Sequence, residues 1–374
     1  MSVNQNHLRV LLVTPRYFPL MGGVETHVYE VARRFAAKGV DTTVLTTDPS
    51  GELTKEDRVE DVNIIRVNAY PRNRDYYFAP QLYGKIVGGE WDIIHCQSFH
   101  TLVPPIAMLA ALRSRVPYMV SFHSGGHSAG YRNSARSLQT SLLKPLLSRA
   151  KKLIAVSHFE AELFQKRLGL PQERFTVVPN GSHLPKITPI ELDRSHDPVI
   201  LSVGRLEHYK GHHRLIAAFP QILQRRPDAH LRILGQGPHE AELKQMAVDY
   251  GVADRTEIGA IPPGNRTGMA DILSQASLVT LLSDYEAHPI AVMEALSMKR
   301  PVLVTHTSGL GELADRGLVK SIPLDSDSTR VAEAVLDQLE HPMIPADFEL
   351  PTWDQCAESL LAIYDDVLGR SSHR

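Results

Sequence analysis

The sequence predicts an α/β protein built from two doubly wound domains. Three observations carry this. Apolar runs of strand length alternate with helical patterns, as in parallel sheets covered on both faces. The alternation breaks after Pro179-Asn180-Gly181, crosses a polar, proline-containing stretch over 182–198, and then restarts, which reads as a linker between domains. The chain has 374 residues, 43% hydrophobic and 22% charged, an ordinary globular composition with length for two or three domains.

In the first half, strands are expected at 8–14, 41–47, 63–67, 91–96, 117–122, 151–157 and 174–178. Helices are expected between them at 24–38, 101–112, 135–149 and 159–168. In the second half, strands are expected near 198–203, 230–234, 256–259, 277–282 and 301–305, with helices at 211–225, 239–250, 266–275 and 290–298. A further helical run follows at Thr329–Leu339, where Asp325-Ser-Asp327 is better explained as a helix cap than as a metal-binding pair. After Pro351-Thr-Trp353, residues Cys356, Leu360, Ile363, Tyr364 and Val367 fall at helical spacing. This last helix packs either on its own domain or back on the first one.

Charge is divided unevenly. Net charge is −2, but residues 1–190 carry 23 basic and 15 acidic side chains, and residues 191–374 carry 17 and 27. The run Ile93–Phe159 holds eight basic residues and no acidic one. It reads either as a solvated basic face or as a surface for an anionic partner. Two cysteines, Cys96 and Cys356, give no disulfide framework and no metal-ligand spacing. No apolar stretch is long enough to span a bilayer, and Leu8–Val13 follows the N-terminus with no signal-peptide pattern, so a cytoplasmic location is expected.

The most informative motif is Glu286 and Glu294, separated by seven residues, directly after the apolar run Ala276–Leu282. Pro289 suits the first position of a helix because its missing N–H would be orphaned there anyway. Amides at His288, Ile290 and Ala291 would then surround a positive helix end that suits a phosphate or a polar sugar. Glu286 would stand before the helix and Glu294 in its second turn, so two carboxylates meet different parts of one polyhydroxylated ligand.

Other segments lie at strand ends. Gly22-Gly23 opens a helix, where glycine lets the backbone approach a ligand. It lacks the GxGxxG pattern of a nicotinamide site. Gly204-Arg205 and Lys210-Gly211 follow the first strand of the second domain, where two cations suit a diphosphate. His123 ends a strand beside Gly125-Gly126 and can line a ligand site, whereas His95, His100, His127 and His158 show no distinguishing spacing. Gly235 and Gly237 form another strand-end turn.

Taken in order along nearly the whole chain, these segments resemble the retaining glycosyltransferases of family 4 (glycosyl transferases group 1). They include Gly22-Gly23 with Glu25, His123, Val178-Pro-Asn180-Gly181, Gly204-Arg205-Leu206 with Lys210-Gly211, Gly235/Gly237, Glu286/Glu294 and Trp353. The resemblance implies a GT-B fold, two Rossmann-like domains facing across a cleft. The boundaries follow at 1–185 for the acceptor side and 195–350 for the nucleotide-sugar side, with helix 353–370 packed back on the first. It implies a hexose transferred from a UDP- or GDP-linked donor to a glycan, lipid-linked or small-molecule hydroxyl, without a metal or other cofactor. Arg205 and Lys210 would hold the diphosphate, Glu286 the sugar hydroxyls and Glu294 the ribose. His123 would line the sugar pocket, and Gly22, Gly23, Gly204, Gly235, His288, Pro289, Ile290 and Ala291 would contact the donor. Two lobes on one linker would close on the donor and exclude water.

Two departures stand out. Ala287-His288-Pro289 replaces the family's usual glycine and aromatic residue after the first glutamate, and Ser182-His183 replaces the usual Val-Asp. Three further expectations concern partners and alternatives. Helix 135–149 carries Leu138, Leu142, Leu146 and Leu147 on one side, near Arg136, Lys144, Arg149 and Lys151-Lys152. It reads as a core-facing stripe or as a peripheral dock on anionic membrane. No nucleic-acid motif accompanies the basic run. The competing functions are a sugar-nucleotide epimerase or phosphorylase on the same fold, and a non-catalytic two-lobed sugar-binding protein.

Overall fold

The structure, a computed structural model, describes residues 8–20, 22–71, 78–99, 101–124, 130–182, 184, 197–262, 265–346 and 348–370, with side chains from 139 onward in the helix that opens at 130. His100, His127, His183, the Gly125-Gly126 pair and most of the linker stretch lie outside it. The chain forms two compact units, residues 1–124, 130–181 and 351–374 in one, and 182–350 in the other.

The first unit contains β1 (Arg9–Val13), α1 (Gly23–Ala37), β2 (Asp41–Asp48), β3 (Glu56–Val59), β4 (Val62–Asn68), α2 (Gln81–Val87) and β5 (Ile93–Gln97). It continues with α3 (Val103–Ser114), β6 (Tyr118–Ser121), α4 (Gly130–Leu147), β7 (Leu153–Ala155), α5 (His158–Leu168) and β8 (Phe175–Val177). The sheet order is β3-β4-β2-β1-β5-β6-β7-β8, parallel throughout except for the β3–β4 pair. Strand order reverses between β1 and β5, so loops diverge there at the carboxyl ends.

The second unit contains β9 (Val199–Val203), α6 (His212–Arg225), β10 (His230–Leu234), α7 (Glu240–Asp249), β11 (Thr256–Gly259) and α8 (Arg266–Gln275). Then come β12 (Leu278–Leu281), α9 (Ile290–Ser297), β13 (Val302–Thr305), α10 (Ser308–Asp315), β14 (Lys320–Ile322) and α11 (Ser328–Glu340). Its parallel sheet runs β11-β10-β9-β12-β13-β14, and the reversal lies between β9 and β12. Strand alternation builds two cores. Ile200, Leu278 and Leu303 face one side, and Leu201, Val279, Val302 and Val304 face the other.

Most elements lie within a few residues of the sequence expectation. Four were not anticipated: β3, α2, α10 and β14. β3 is a polar edge strand, Glu-Asp-Arg-Val, with three of its four residues exposed, so it shows no apolar alternation. α10 carries Gly309 and Gly311, which weaken any helical signal. α4 starts earlier than expected and its leucines do not form one stripe. Leu143 and Leu147 enter the core while Leu142 is 69% exposed. Asp327 caps α11, accepting the Arg330 N–H at 2.8 Å.

The last helix, α12 (Trp353–Leu368), belongs to the first unit. Thr352 and Gln355 form a capping box at its start. Trp353, Cys356, Leu360 and Tyr364 are buried, and the helix packs on α1. Tyr364 OH lies 2.6 Å from His95 Nδ1, whose Nε2 lies 2.8 Å from Ser121 Oγ. Gly181 ends the first pass of the chain through this unit beside Thr352 and Trp353, where it returns. A Cβ at Gly181 would overlap the Trp353 backbone.

Candidate functional site at the sheet switch points

In the second unit, the loops after β9 and β12 are zipped together. Gly211 makes this possible. It has φ +73°, and a Cβ there would overlap the Leu282 carbonyl, so only glycine lets the β9 loop cross the end of β12. The Asp284 N–H donates to the Tyr209 carbonyl at 2.7 Å, and the Tyr209 and Tyr285 rings stack at 4.6 Å. Arg214 pairs with Asp284 at 2.8 Å. Gly235 and Gly237 serve the same loop from the other side, because Cβ atoms there would overlap the Gly204 and Leu206 carbonyls. Gly235, expected as a donor contact, packs closely against the Gly204 backbone.

This crossing places Lys210 Nζ 2.5 Å from Glu286 Oε1, to which Ser283 Oγ also donates at 2.9 Å. Arg205 stays nearer solvent, paired with Glu207 at 2.7 Å. His212 pins the loop from below. Its Nε2 donates to the Arg205 carbonyl at 3.2 Å, which makes Nδ1 the acceptor for the Ser202 hydroxyl at 2.9 Å. Burial holds this imidazole neutral and lowers its pKa to about 4.

Glu286 is held by a third loop. The Glu286 N–H donates to Ser308 Oγ at 2.8 Å, and the Gly309 N–H donates to the Glu286 carbonyl at 2.9 Å. Thr305 Oγ1 donates to the Ser283 carbonyl. Pro289 is the N-cap of α9, one position earlier than expected, and the helix opens at Ile290. Ile290 and Ala291 therefore supply first-turn amides, which a helix leaves without intrahelical partners. His288 lies just before, its imidazole kept neutral by burial and by nearby Arg316, with its pKa lowered to about 4. Glu294 lies in the second turn, 3% exposed, and forms an ion pair with Arg266 at the start of α8.

In the first unit, Gly22 caps α1 and Gly23 opens it, with nothing within 4 Å of the Gly23 Cβ position. Neither glycine has a positive φ, so small size and not backbone conformation distinguishes them. His123 follows β6 with φ +53°, and its Nε2 lies 2.8 Å from Gln97 Oε1 at the end of β5. The His27 ring packs edge-on at 4.6 Å from His123, and His27 Nδ1 lies 2.8 Å from Asn180 Oδ1. Burial lowers the pKa of His27 to about 4 and of His95 to about 3.

Of the residues read from the sequence, the structure brings Gly204, Arg205, Lys210, Gly235, Glu286, His288–Ala291 and Glu294 to the carboxyl end of the second sheet. Gly22, Gly23 and His123 stand at the carboxyl end of the first. Gln97, Ser283, Ser308 and Arg266 were missed. A signal existed for Arg266, since a cation in the first turn of a helix opposes its dipole and calls for a nearby anion. Gln97 is a polar strand-end residue of the kind that faces ligands in open parallel sheets. Ser308 gave none, because its contact with Glu286 joins residues 22 apart.

Two parallel α/β units of this kind are the fold of the GT-B glycosyltransferases. Residues 21–184 match the family described as Glycosyltransferase Family 4, and residues 185–349 match Glycosyl transferases group 1. The chain belongs to glycosyltransferase family 4 and is a transferase enzyme. It is 26% identical to a glycogen synthase of Mycobacterium tuberculosis over 90% of this chain and 87% of that one. It is 26% identical to a GDP-mannose:cellobiosyl-diphosphopolyprenol alpha-mannosyltransferase of Xanthomonas campestris, covering 78% of this chain and 76% of that one. Among solved structures, sucrose-phosphate synthase from Thermosynechococcus elongatus superposes with TM-score 0.79 at 20% identity, over 98% of this chain and all of that one. Among the described residues, no helix is long and apolar enough to cross a membrane.

Proposed function

We propose that this chain is a retaining, metal-independent hexosyltransferase. It moves a sugar from a UDP- or GDP-linked donor to a hydroxyl of a glycan, lipid-linked or small-molecule acceptor. The observation that carries the reading is the pairing of Lys210 with Glu286 at the β9–β12 switch point, with Arg205 on the same loop and Glu294 one helix away. One cluster thus offers cations to a diphosphate and carboxylates to hydroxyls.

Arg205 and Lys210 neutralise the diphosphate as the C1–O bond to phosphate breaks, a role otherwise open to a divalent cation. Glu286 accepts hydrogen bonds from sugar hydroxyls and Glu294 from the ribose. First-turn amides of α9 face the phosphate or sugar oxygens. His123, at the end of β6, contacts the transferred sugar. The acceptor oxygen bonds to C1 on the face the diphosphate leaves, and its proton passes to a departing phosphate oxygen, so configuration is kept.

The donor classes follow the relatives, one of which is named for GDP-mannose. The test is a thermal-shift screen with chelator present, using UDP, GDP, ADP and TDP and their sugar conjugates, with Glu294→Ala and Arg205→Ala alongside. Stabilisation by one nucleotide, lost in both variants, supports the reading. Stabilisation that needs a divalent cation overturns its metal independence, and sugar transfer with inverted configuration overturns retention. An epimerised nucleotide sugar formed without acceptor favours the epimerase alternative.

A peripheral membrane contact is a second proposal for acceptor access. Exposed Leu142 of α4 and exposed Leu109 of α3 lie in the acid-free stretch. Salt-insensitive absence from anionic vesicles in co-sedimentation rules it out.

A further inference from the structure

The acid-free run Ile93–Phe159 ends at Glu160, and this first acidic side chain is fully buried. Glu160 sits three residues after Ser157, the N-cap of α5, whose Oγ accepts the Glu160 N–H at 3.2 Å. An acid in this position ordinarily turns back to the amide of the cap residue itself. Here the carboxylate reaches further. Oε2 accepts the Val156 N–H at 2.8 Å, and Oε1 accepts the Ser124 N–H. The His123 amide is a third donor.

Two of these donors belong to the loop after β6. His123 there has φ +53°, a left-handed conformation that is unfavourable for an L-residue and persists only where surroundings over-determine it. Successive amides converging on one anion form a nest. The nest is filled by Glu160, and the side chain it orients is His123, whose Nε2 meets Gln97 at 2.8 Å.

We propose that Glu160 is a positioning residue for His123: by binding the His123 and Ser124 amides it fixes the left-handed turn that presents the imidazole to the transferred sugar. This rests on the reading of His123 as a sugar contact. The chemistry calls for a carboxylate. All three bonds are received by it, and a glutamine would set an NH2 donor against one of the backbone N–H groups. Burial pushes the carboxyl up to about 8 while the three amides favour the anion, so the clamp is complete above that pH and the variants are compared there.

The test uses the full chain, with Glu160→Gln, the charge-keeping but shorter Glu160→Asp, His123→Ala and the double variant Glu160→Gln/His123→Ala. Readouts are kcat and KM, nucleoside-diphosphate affinity by calorimetry, and the His123 ring signal in 15N-histidine spectra. We expect Glu160→Gln to lower kcat about tenfold or more with nucleotide affinity unchanged, and to move the His123 signal. The double variant should be no worse than His123→Ala alone, because both changes act through one ring. Should Glu160→Gln fail to fold, Glu160→Asp carries the same comparison. Wild-type kcat in Glu160→Asp and Glu160→Gln, or losses that multiply in the double variant, overturn the proposal. A moved His123 signal with full activity in His123→Ala supports the clamp and overturns the sugar-contact reading, so the two fail separately.

Discussion

Lys210 Nζ lies 2.5 Å from Glu286 Oε1, although the two residues are 76 positions apart. The cation assigned to the diphosphate and the carboxylate assigned to the sugar thus neutralise each other at the β9–β12 switch point. Both side chains are mostly buried, so solvent screens the pair weakly. On the proposed reading, removing Lys210 takes away leaving-group stabilisation, and it leaves Glu286 with Ser283 as its side-chain donor. We expect Lys210→Ala to lower kcat/KM by about 10²–10³, with Lys210→Arg recovering part of it. Steady-state kinetics showing Lys210→Ala within threefold of wild type would exclude the assigned role.

Arg266 and Glu294 form a second pair, with Glu294 almost fully buried and the Arg266 side chain 29% exposed. Truncating one partner of a buried pair costs about 3–5 kcal/mol, and the partial exposure of Arg266 reduces the expectation to about 1–3 kcal/mol. Arg266→Ala should therefore lower the urea midpoint, and Arg266→Ala/Glu294→Gln should regain part of the loss. A double variant less stable than Arg266→Ala argues against a compensated charge pair.

Five histidines set the acid response. His27, His212, His213 and His288 have pKa values lowered to about 4, and His95 to about 3, each mainly by burial. Above the unfolded value of about 6.5, both states are neutral and stability does not depend on these groups. As pH falls below 6.5 the unfolded chain takes up protons that the folded chain refuses, and stability drops through the folded pKa near 4. Each group contributes a slope of up to about 1.4 kcal/mol per pH unit. Glu160 acts oppositely, since its raised pKa makes stability fall as pH rises from about 4.5 to about 8. With five groups against one, urea unfolding should show decreasing stability from pH 6.5 to 5. A flat profile across that window contradicts the neutral, buried state of these rings.

Gly211 and Gly251 form a matched comparison. Both have positive φ, but only Gly211 faces backbone, the Leu282 carbonyl, while the Gly251 Cβ position has nothing within 4 Å. Gly251→Ala should cost about 1 kcal/mol from backbone conformation alone. Gly211→Ala adds an overlap that must push the two loops apart, for a total of about 2–4 kcal/mol, and should also displace Lys210. Equal melting temperatures for the two variants would show that the loop crossing has slack.

Tyr364 closes a buried chain from α12 through His95 to Ser121. Tyr364→Phe keeps the ring packing against Phe35 but removes the hydroxyl, leaving His95 Nδ1 without its partner. The expected loss is about 1–3 kcal/mol by chemical denaturation. No loss would mean that His95 relaxes onto another group.

Legibility differed by region for physical reasons. The central strands announced themselves because both faces are buried and their residues are continuously apolar, as in Val10–Val13 and Val302–Val304. The edge strands β3 and β14 did not, because an edge needs no apolar face and carries charge instead. In the site, Arg205, Lys210, Glu286 and Glu294 were visible through their order and spacing. Ser308, Gln97 and Arg266 stand at the ends of elements whose neighbours in space are distant in sequence.

By itself, the sequence determined the two parallel α/β units, the loops that carry the candidate site residues and the helix that Glu294 stands on. Periodicity and spacing are local properties, and strand length, helix phase and glycine turns are written within a few residues. Tertiary structure alone decided which charges meet. Lys210 with Glu286, Arg266 with Glu294 and Glu160 with the His123 turn are each made by loops and helix starts that converge at the carboxyl end of a sheet. The strand order that sets these meetings is fixed by packing across the whole sheet and by no single segment.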